Sequence, residues 1–311
     1  MLKQEKYIRT TSVQEAIEIG LAHISSFRYL AGGTDVVVNK FQGNETAPCL
    51  IDLTGIKELK EINVTGDSIR IGSLVRLDEL ADTSEIVAHF PALITAAKSV
   101  ASPVIRKTAT LGGNLLCENR CVFYNQSEWW RKAVGFCLKC DGDICIATGG
   151  KKNCFSKIVS DTAPVLIALN AHIEIAEKDG IKMVPLQQLY TGNGINPREI
   201  SNHSIITSIH LKLKQNINCV FKKLRPREAV DFTSLTTAVS IDDKEKIRIV
   251  LGGVDPGPVL IEAALPMNSE EIIKVAVKKC RIVDNDYYTR GYRKEMIRVF
   301  LQRSFKELNI N

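Results

Sequence analysis

Six of the chain's nine cysteines fall within the 38 residues 117–154, a stretch that also contains both tryptophans. Thiolates gathered this densely can hold a metal centre. If Cys121, Cys137, Cys145 and Cys154 are taken as the set, the intervals are 16, 8 and 9 residues. Four thiolates suit a tetrahedral zinc or a [4Fe–4S] cluster. Structural zinc sites usually bring paired C-x2-C knuckles, and only Cys137-Leu138-Lys139-Cys140 has that spacing here. The wide intervals fit a loop wrapped round a larger cluster, while spacing leaves zinc and unligated thiols open. Cys49, Cys117, Cys140, Cys219 and Cys280 read as small hydrophobes. Tyr124, Trp129 and Trp130 read as the core of the loop, since aromatic side chains bury large areas.

Two glycine pairs form a second group. Ala31-Gly32-Gly33-Thr34-Asp35 lies between an apolar run, 27–31, and a helical run, 36–41. At such a junction backbone N–H groups can approach an anion. Thr110-Leu111-Gly112-Gly113-Asn114 adds a hydroxyl and an amide able to donate to phosphate or ribityl oxygens. Either pair by itself reads as a turn. Together they could grip both halves of a pyrophosphate. Asp161 stands just ahead of an apolar helix, 165–170, where it could serve as an N-cap. The five histidines are scattered without metal spacing and read as structural. No nucleophile–base constellation competes.

The elements that must position these residues follow from periodicity. A capping-box pattern from Ser12 to Glu15 opens an amphipathic helix over 11–24, with Val13, Ala16, Ile17, Leu21 and Ile24 on one face. With strands at 27–31 and 49–53, the first sixty residues make a β-Gly-α-β unit. Alternation at 68–73 is followed by helices at 77–88 and 91–100. Strands at 172–177 and 181–184 flank the turn Lys178-Asp179-Gly180, and 185–197 reads as a boundary. Four strands at 204–214, 220–224, 234–241 and 246–251 suggest an antiparallel sheet, closed by helices at 269–283 and 287–308. The expectation is an α+β chain. Residues 1–200 form one domain, with subdomains at about 1–60 and 61–200 and an insertion at about 117–157; residues 201–311 form a second.

Hydrophobic residues at 45% and charged ones at 24% of 311 are those of a globular protein. The net charge of +6 is dispersed, which weighs against nucleic-acid binding. No apolar run reaches the roughly 18–20 residues of a membrane span. The first twenty residues lack the apolar core and cleavage site of a secretory signal. A cytoplasmic protein is expected, with its thiols reduced.

AGGTD at 31–35, TLGGN at 110–114, and Asp161 ahead of Ala163-Pro164-Val165-Leu166 resemble the FAD-binding subunit of the molybdenum hydroxylase (xanthine oxidase) family, over essentially the whole chain. RCVFYNQSEWWRK, GFCLK, GDIC, the cysteine at 154 and KLRPREAVDF at 223–232 resemble one branch of it, the β subunit of 4-hydroxybenzoyl-CoA reductase, which carries an extra [4Fe–4S] cluster. The resemblance implies an FAD-binding domain of the PCMH type in two subdomains, then a small C-terminal domain of antiparallel sheet and helices, as in the CO dehydrogenase flavoprotein. It implies that Tyr29, Leu30, Ala31, Gly32, Gly33, Thr34, Asp35 and Val36 hold the FAD pyrophosphate through backbone amides. Thr110, Gly112, Gly113 and Asn114 would form the second phosphate loop. Asp161 would bond the ribityl or ring region, with Lys223 near the flavin. Cys121, Cys137, Cys145 and Cys154 would ligate the cluster, leaving Cys117 and Cys140 as non-ligands.

Implied partners are a molybdopterin-binding large subunit, where the substrate reacts, and a small subunit with two [2Fe–2S] clusters, in a dimer of heterotrimers. Electrons would enter from a ferredoxin-like donor and pass through the cluster and FAD to molybdenum, so this chain would hold no catalytic residue of its own. Two other readings stand beside this one. The first is the FAD subunit of a xanthine or N-heterocycle dehydrogenase that uses NAD. The second is a zinc-stabilised binding module.

Overall fold

A computed structural model describes residues 6–23, 27–213, 216–266 and 268–310. Ile24 and Lys214, at the ends of two expected elements, lie outside the described residues.

The N-terminal unit is a parallel sheet of order β1-β3-β2, from β1 (Lys6–Arg9), β2 (Phe27–Leu30) and β3 (Cys49–Asp52). Its first helix, α1 (Val13–Ala22), starts where the Ser12 hydroxyl accepts from the Glu15 amide and the Glu15 carboxylate accepts from the Thr11 amide at 2.8 Å. Ala16 and Ile17 then turn inward on Phe27 and Ile51. After β2 the chain turns through the first glycine pair into α2 (Val36–Phe41).

The middle unit is an antiparallel sheet of order β4-β5-β8-β6-β7. Its strands are β4 (Ile62–Thr65), β5 (Ser68–Gly72), β6 (His172–Glu177), β7 (Gly180–Pro185) and β8 (Ile205–Lys212). Between β5 and β6 the chain also forms α3 (Ser84–His89), α4 (Pro91–Ser99), α5 (Pro103–Arg106) and α6 (Leu111–Leu115), whose apolar residues share the sheet's core. The cysteine-rich segment contributes α7 (Glu128–Val134), and α8 (Thr162–Ala168) follows it and is buried along its whole length. The helix expected over 77–88 is broken: residues 79–82 form a 3-10 turn and Thr83 is extended. Asp82, Thr83 and Ser84 bond readily to nearby backbone, which favours caps over helix interiors.

Beyond these lies a four-stranded antiparallel sheet, order β12-β11-β10-β9, from β9 (Asn218–Leu224), β10 (Leu235–Ile241), β11 (Lys246–Gly252) and β12 (Val259–Ala264). One face, with Val239 and Ile249, packs on α9 (Ser269–Lys279) and α10 (Arg290–Glu307), while Ala238 and Val250 on the other join the core around α8. Here the structure corrects the expected strand grouping. β8 pairs with β5 and β6, setting Ile209 opposite Ile71 and Ile173, so it completes the middle sheet. The fourth strand of the C-terminal sheet is β12 instead. Alternation identifies a strand without naming its partners, and β12 ends in Glu262-Ala263-Ala264, residues that favour helix. Among the described residues no helix is long and apolar enough to cross a membrane.

Candidate functional site

The first glycine loop presents open backbone. Among the described residues, the amides of Gly32, Gly33, Thr34 and Asp35 meet no protein acceptor, whereas the carbonyls of Gly33 and Asp35 already accept from Val37 and Asn39 in α2. Consecutive unpaired N–H groups in such a turn make an anion cradle. Gly32 is required by close approach: a Cβ there would overlap the carbonyl oxygen of Thr108, so the second loop lies directly against the first. Tyr29 anchors the strand beneath, its hydroxyl donating to the carbonyls of Ala16 and His203 at 3.2 and 3.3 Å. Leu30, Ala31 and Val36 are half-buried and wall the turn.

The second loop is built differently. Thr110 caps α6, its hydroxyl accepting from the Gly113 amide at 3.2 Å, and the amides of Gly112 and Asn114 donate to Ser73 and Thr110 carbonyls at 2.8 and 2.9 Å. These amides are engaged inside the fold. The Asn114 side-chain carbonyl accepts from the hydroxyls of Ser160 and Thr162 at 2.8 and 2.7 Å. That leaves its NH2 group as the open donor of the loop. Spacing suggests two equal grips; the geometry gives one amide cradle backed by one side-chain donor.

Asp161 stands at the N-cap position of α8, but its side chain makes no capping hydrogen bond. Its Oδ2 accepts from the Lys223 ammonium at 2.6 Å, and Lys223 also donates to the Ser99 carbonyl at 2.9 Å. Both side chains are buried, and Asp161 Oδ1 has no partner. Burial pushes the Asp161 carboxyl above its ordinary range, against the pull of Lys223. A buried acceptor left open calls for a donor from outside the chain, which suits a ribityl hydroxyl or a flavin ring N–H.

Cys121, Cys137, Cys145 and Cys154 line a single small cavity, with Tyr124, Lys139 and Ser156 in its wall. Cys154 Sγ accepts from the Ser156 amide at 3.4 Å, while backbone amides of Phe123 and Tyr124 act to lower the Cys121 thiol and those of Lys139 and Cys140 the Cys137 thiol. Burial pushes the Cys121 thiol up to about 11, with Cys154 and Cys137 adding to it against the two amides. The Cys140 thiol hydrogen-bonds Cys137 and brings it down to about 6 despite burial. Cys117 and Cys140 do not line the cavity. Among the described residues no three His, Cys, Asp or Glu are arranged to hold a metal ion.

The loop's core differs from the aromatic one expected. Tyr124 is buried at 7% exposure, but Trp129 is 78% exposed and Trp130 is half-buried. The inward place on α7 belongs to Arg131, which donates to the Gln42 carbonyl at 2.9 Å and stands 6.0 Å from the Tyr124 ring centre. Lys139 comes within 5.2 Å of the same ring and pairs with Glu118 at 2.6 Å. Burial raises the Glu118 carboxyl, yet Lys139 and Arg198 outweigh it and hold the group below its ordinary range. Arg120, the residue before Cys121, pairs with Asp35 of the first glycine loop and lies 4.5 Å from the Phe232 ring centre. Spacing gives no sign of Glu118, Arg120 or Lys139, because their roles come from contacts across the loop.

The FAD binding domain in molybdopterin dehydrogenase matches residues 3–211. Over 265 residues the chain is 27% identical to the xanthine dehydrogenase FAD-binding subunit of Escherichia coli O157:H7, covering 83% of this chain and 77% of that one. It is 28% identical over 279 residues to the aldehyde oxidoreductase FAD-binding subunit of Escherichia coli strain K12, covering 85% of each. A carbon monoxide dehydrogenase structure from Hydrogenophaga pseudoflava superposes with a TM-score of 0.77 over 99% of this chain and 96% of that one. At 21% identity this is a likeness of fold, and it agrees with the expected α+β order of FAD-binding domain, antiparallel sheet and helices.

Proposed function

Because the chain belongs to the family of FAD binding domains in molybdopterin dehydrogenases, we propose that it is the flavin and iron–sulfur subunit of an aromatic acyl-CoA reductase of the 4-hydroxybenzoyl-CoA reductase type. The family membership makes it an FAD-binding oxidoreductase subunit. In the proposed assembly this chain takes electrons from a ferredoxin-like donor and passes them to a small subunit with two [2Fe–2S] clusters. A molybdopterin-binding large subunit then reduces the substrate. The complex would be a cytoplasmic dimer of such heterotrimers.

FAD holds two electrons and releases them singly, and a [4Fe–4S] cluster carries one at a time. The amides of 32–35 would hold the pyrophosphate with the Asn114 NH2 group beside them, and Asp161 Oδ1 would accept from the flavin, fixed by Lys223. Cys121, Cys137, Cys145 and Cys154 would hold the cluster. The carrying observation is that these four thiols share one cavity, where Cys154 already accepts a backbone N–H on sulfur. Four thiolates suit either a [4Fe–4S] cluster or a zinc, and metal content separates this reading from the zinc-stabilised module.

The names of the Escherichia coli relatives favour a second reading, the FAD subunit of a xanthine- or heterocycle-type dehydrogenase that sends electrons outward to NAD. The native complex decides between them. A reduced low-potential ferredoxin should drive turnover of an aryl-CoA thioester, and Cys137→Ser should abolish it with FAD retained. Normal donor-driven turnover in that variant, or hydride exchange with NADH in its place, would overturn the proposal.

A further inference from the structure

Among the residues lining the thiol cavity Lys139 is the one charged side chain. Its side chain is only 6% exposed, its ammonium 2.6 Å from Glu118 Oε1 and 2.7 Å from the Gly194 carbonyl oxygen. Gly194 is pressed against the cavity: a Cβ on it would sit 2.8 Å from Cys154 Sγ. The ammonium is thereby tied to backbone packed on a ligand sulfur. Glu118 lies on the outer side of the pair, 29% exposed and absent from the cavity wall. Arg198 stands on the Glu118 side, and Lys157 on the Cys121 side. Ion pairs this deep bring little net stability, because desolvation offsets their attraction. Something other than folding is needed to explain a cation at this position.

Resting on the reading of the cavity as a [4Fe–4S] site, we infer that Lys139 and Glu118 set the reduction potential of the centre that the four thiols hold. Reduction adds one electron and no proton, so the negative charge in the cavity grows by one. A fixed ammonium in the wall favours the reduced state, and the carboxylate behind it opposes it. The two residues therefore act with opposite signs. Lys139 is a positioning residue for charge, touching neither donor nor substrate.

The test is a redox titration of the full chain, reconstituted anaerobically with iron and sulfide and followed by electron paramagnetic resonance at constant pH. Lys139→Gln should make the centre harder to reduce by at least tenfold in equilibrium, about 59 mV for a one-electron couple. Glu118→Gln should shift it the other way, the double variant should fall between, and Lys139→Arg should stay near the parent. Should Lys139→Gln fail to fold, Glu118→Gln still decides the sign. Potentials that do not move, or that move in the same direction, would overturn the inference while leaving the cluster in place. A parent chain that assembles no cluster would overturn the underlying reading, and this inference with it.

Discussion

The carboxylate of Asp35 accepts from the Glu118 amide at 2.9 Å and from the guanidinium of Arg120, the residue immediately before Cys121. One side chain of the proposed flavin cradle thus fixes the start of the thiol loop. The same short segment reaches the loop's far end, since Arg120 and Lys157 exchange backbone hydrogen bonds at 2.9 and 2.8 Å. The two candidate centres share a joint, so a change at one should be felt at the other.

Asp35→Ala should expose this coupling. Arg120 is 6% exposed and its Nε already lacks a partner, so loss of the carboxylate strands a buried cation. Because Asp35 is itself partly exposed, the cost should lie near the low end for a broken buried pair, roughly 2–4 kcal/mol. Urea unfolding reads the loss, and flavin retention should fall with it. Unchanged values for both would show that the pair does not couple the cradle to the loop.

Gly32→Val tests the cradle. The added side chain must part the two loops at the Thr108 carbonyl, which should weaken FAD binding at least tenfold, about 1.4 kcal/mol, while circular dichroism keeps the parental shape. Fluorescence titration of the flavin-free chain measures it. Parental affinity in the variant would mean that the pyrophosphate lies elsewhere.

The Asp161–Lys223 pair carries a pH signature. Burial raises the Asp161 carboxyl above 3.8, so the folded chain binds that proton more tightly than the unfolded chain. Its contribution to stability is fully present below the unfolded value and is lost as pH rises through the folded one. Lys223→Met raises the carboxyl further. We expect a cost of roughly 3–5 kcal/mol near neutral pH, shrinking as the pH falls toward 5. Urea unfolding at pH 8 and pH 5 checks this; an equal cost at both values would contradict it.

The cysteines should sort by position. Serine at Cys121, Cys137, Cys145 or Cys154 should lower iron content at least several-fold after reconstitution, whereas Cys117→Ser and Cys140→Ser should leave it near the parental level. Iron loss in Cys140→Ser equal to that in Cys137→Ser would place Cys140 among the ligands.

Much of this was legible in the sequence, for reasons that particular residues make plain. Ser12 and Glu15 announce α1, the glycine pair marks the turn before α2, and the run 36–41 matches that helix. Clustered cysteines mark the thiol loop by composition. What stayed hidden depends on partners distant in sequence. β8 looks like any alternating strand until Ile209 meets Ile71 and Ile173. Trp129 reads as core until Arg131 takes the inward face. The engaged amides of the second glycine loop follow from Ser73 and Val75, which no motif links to it.

The most direct measurement is the iron, acid-labile sulfide and flavin content of this chain, separated from its partner subunits without oxygen after expression of the whole complex. The account predicts about four irons and four sulfides per flavin, with a spectrum that bleaches on reduction in both flavin and iron–sulfur bands. One zinc per chain, or a flavin with neither iron nor sulfide, would contradict it.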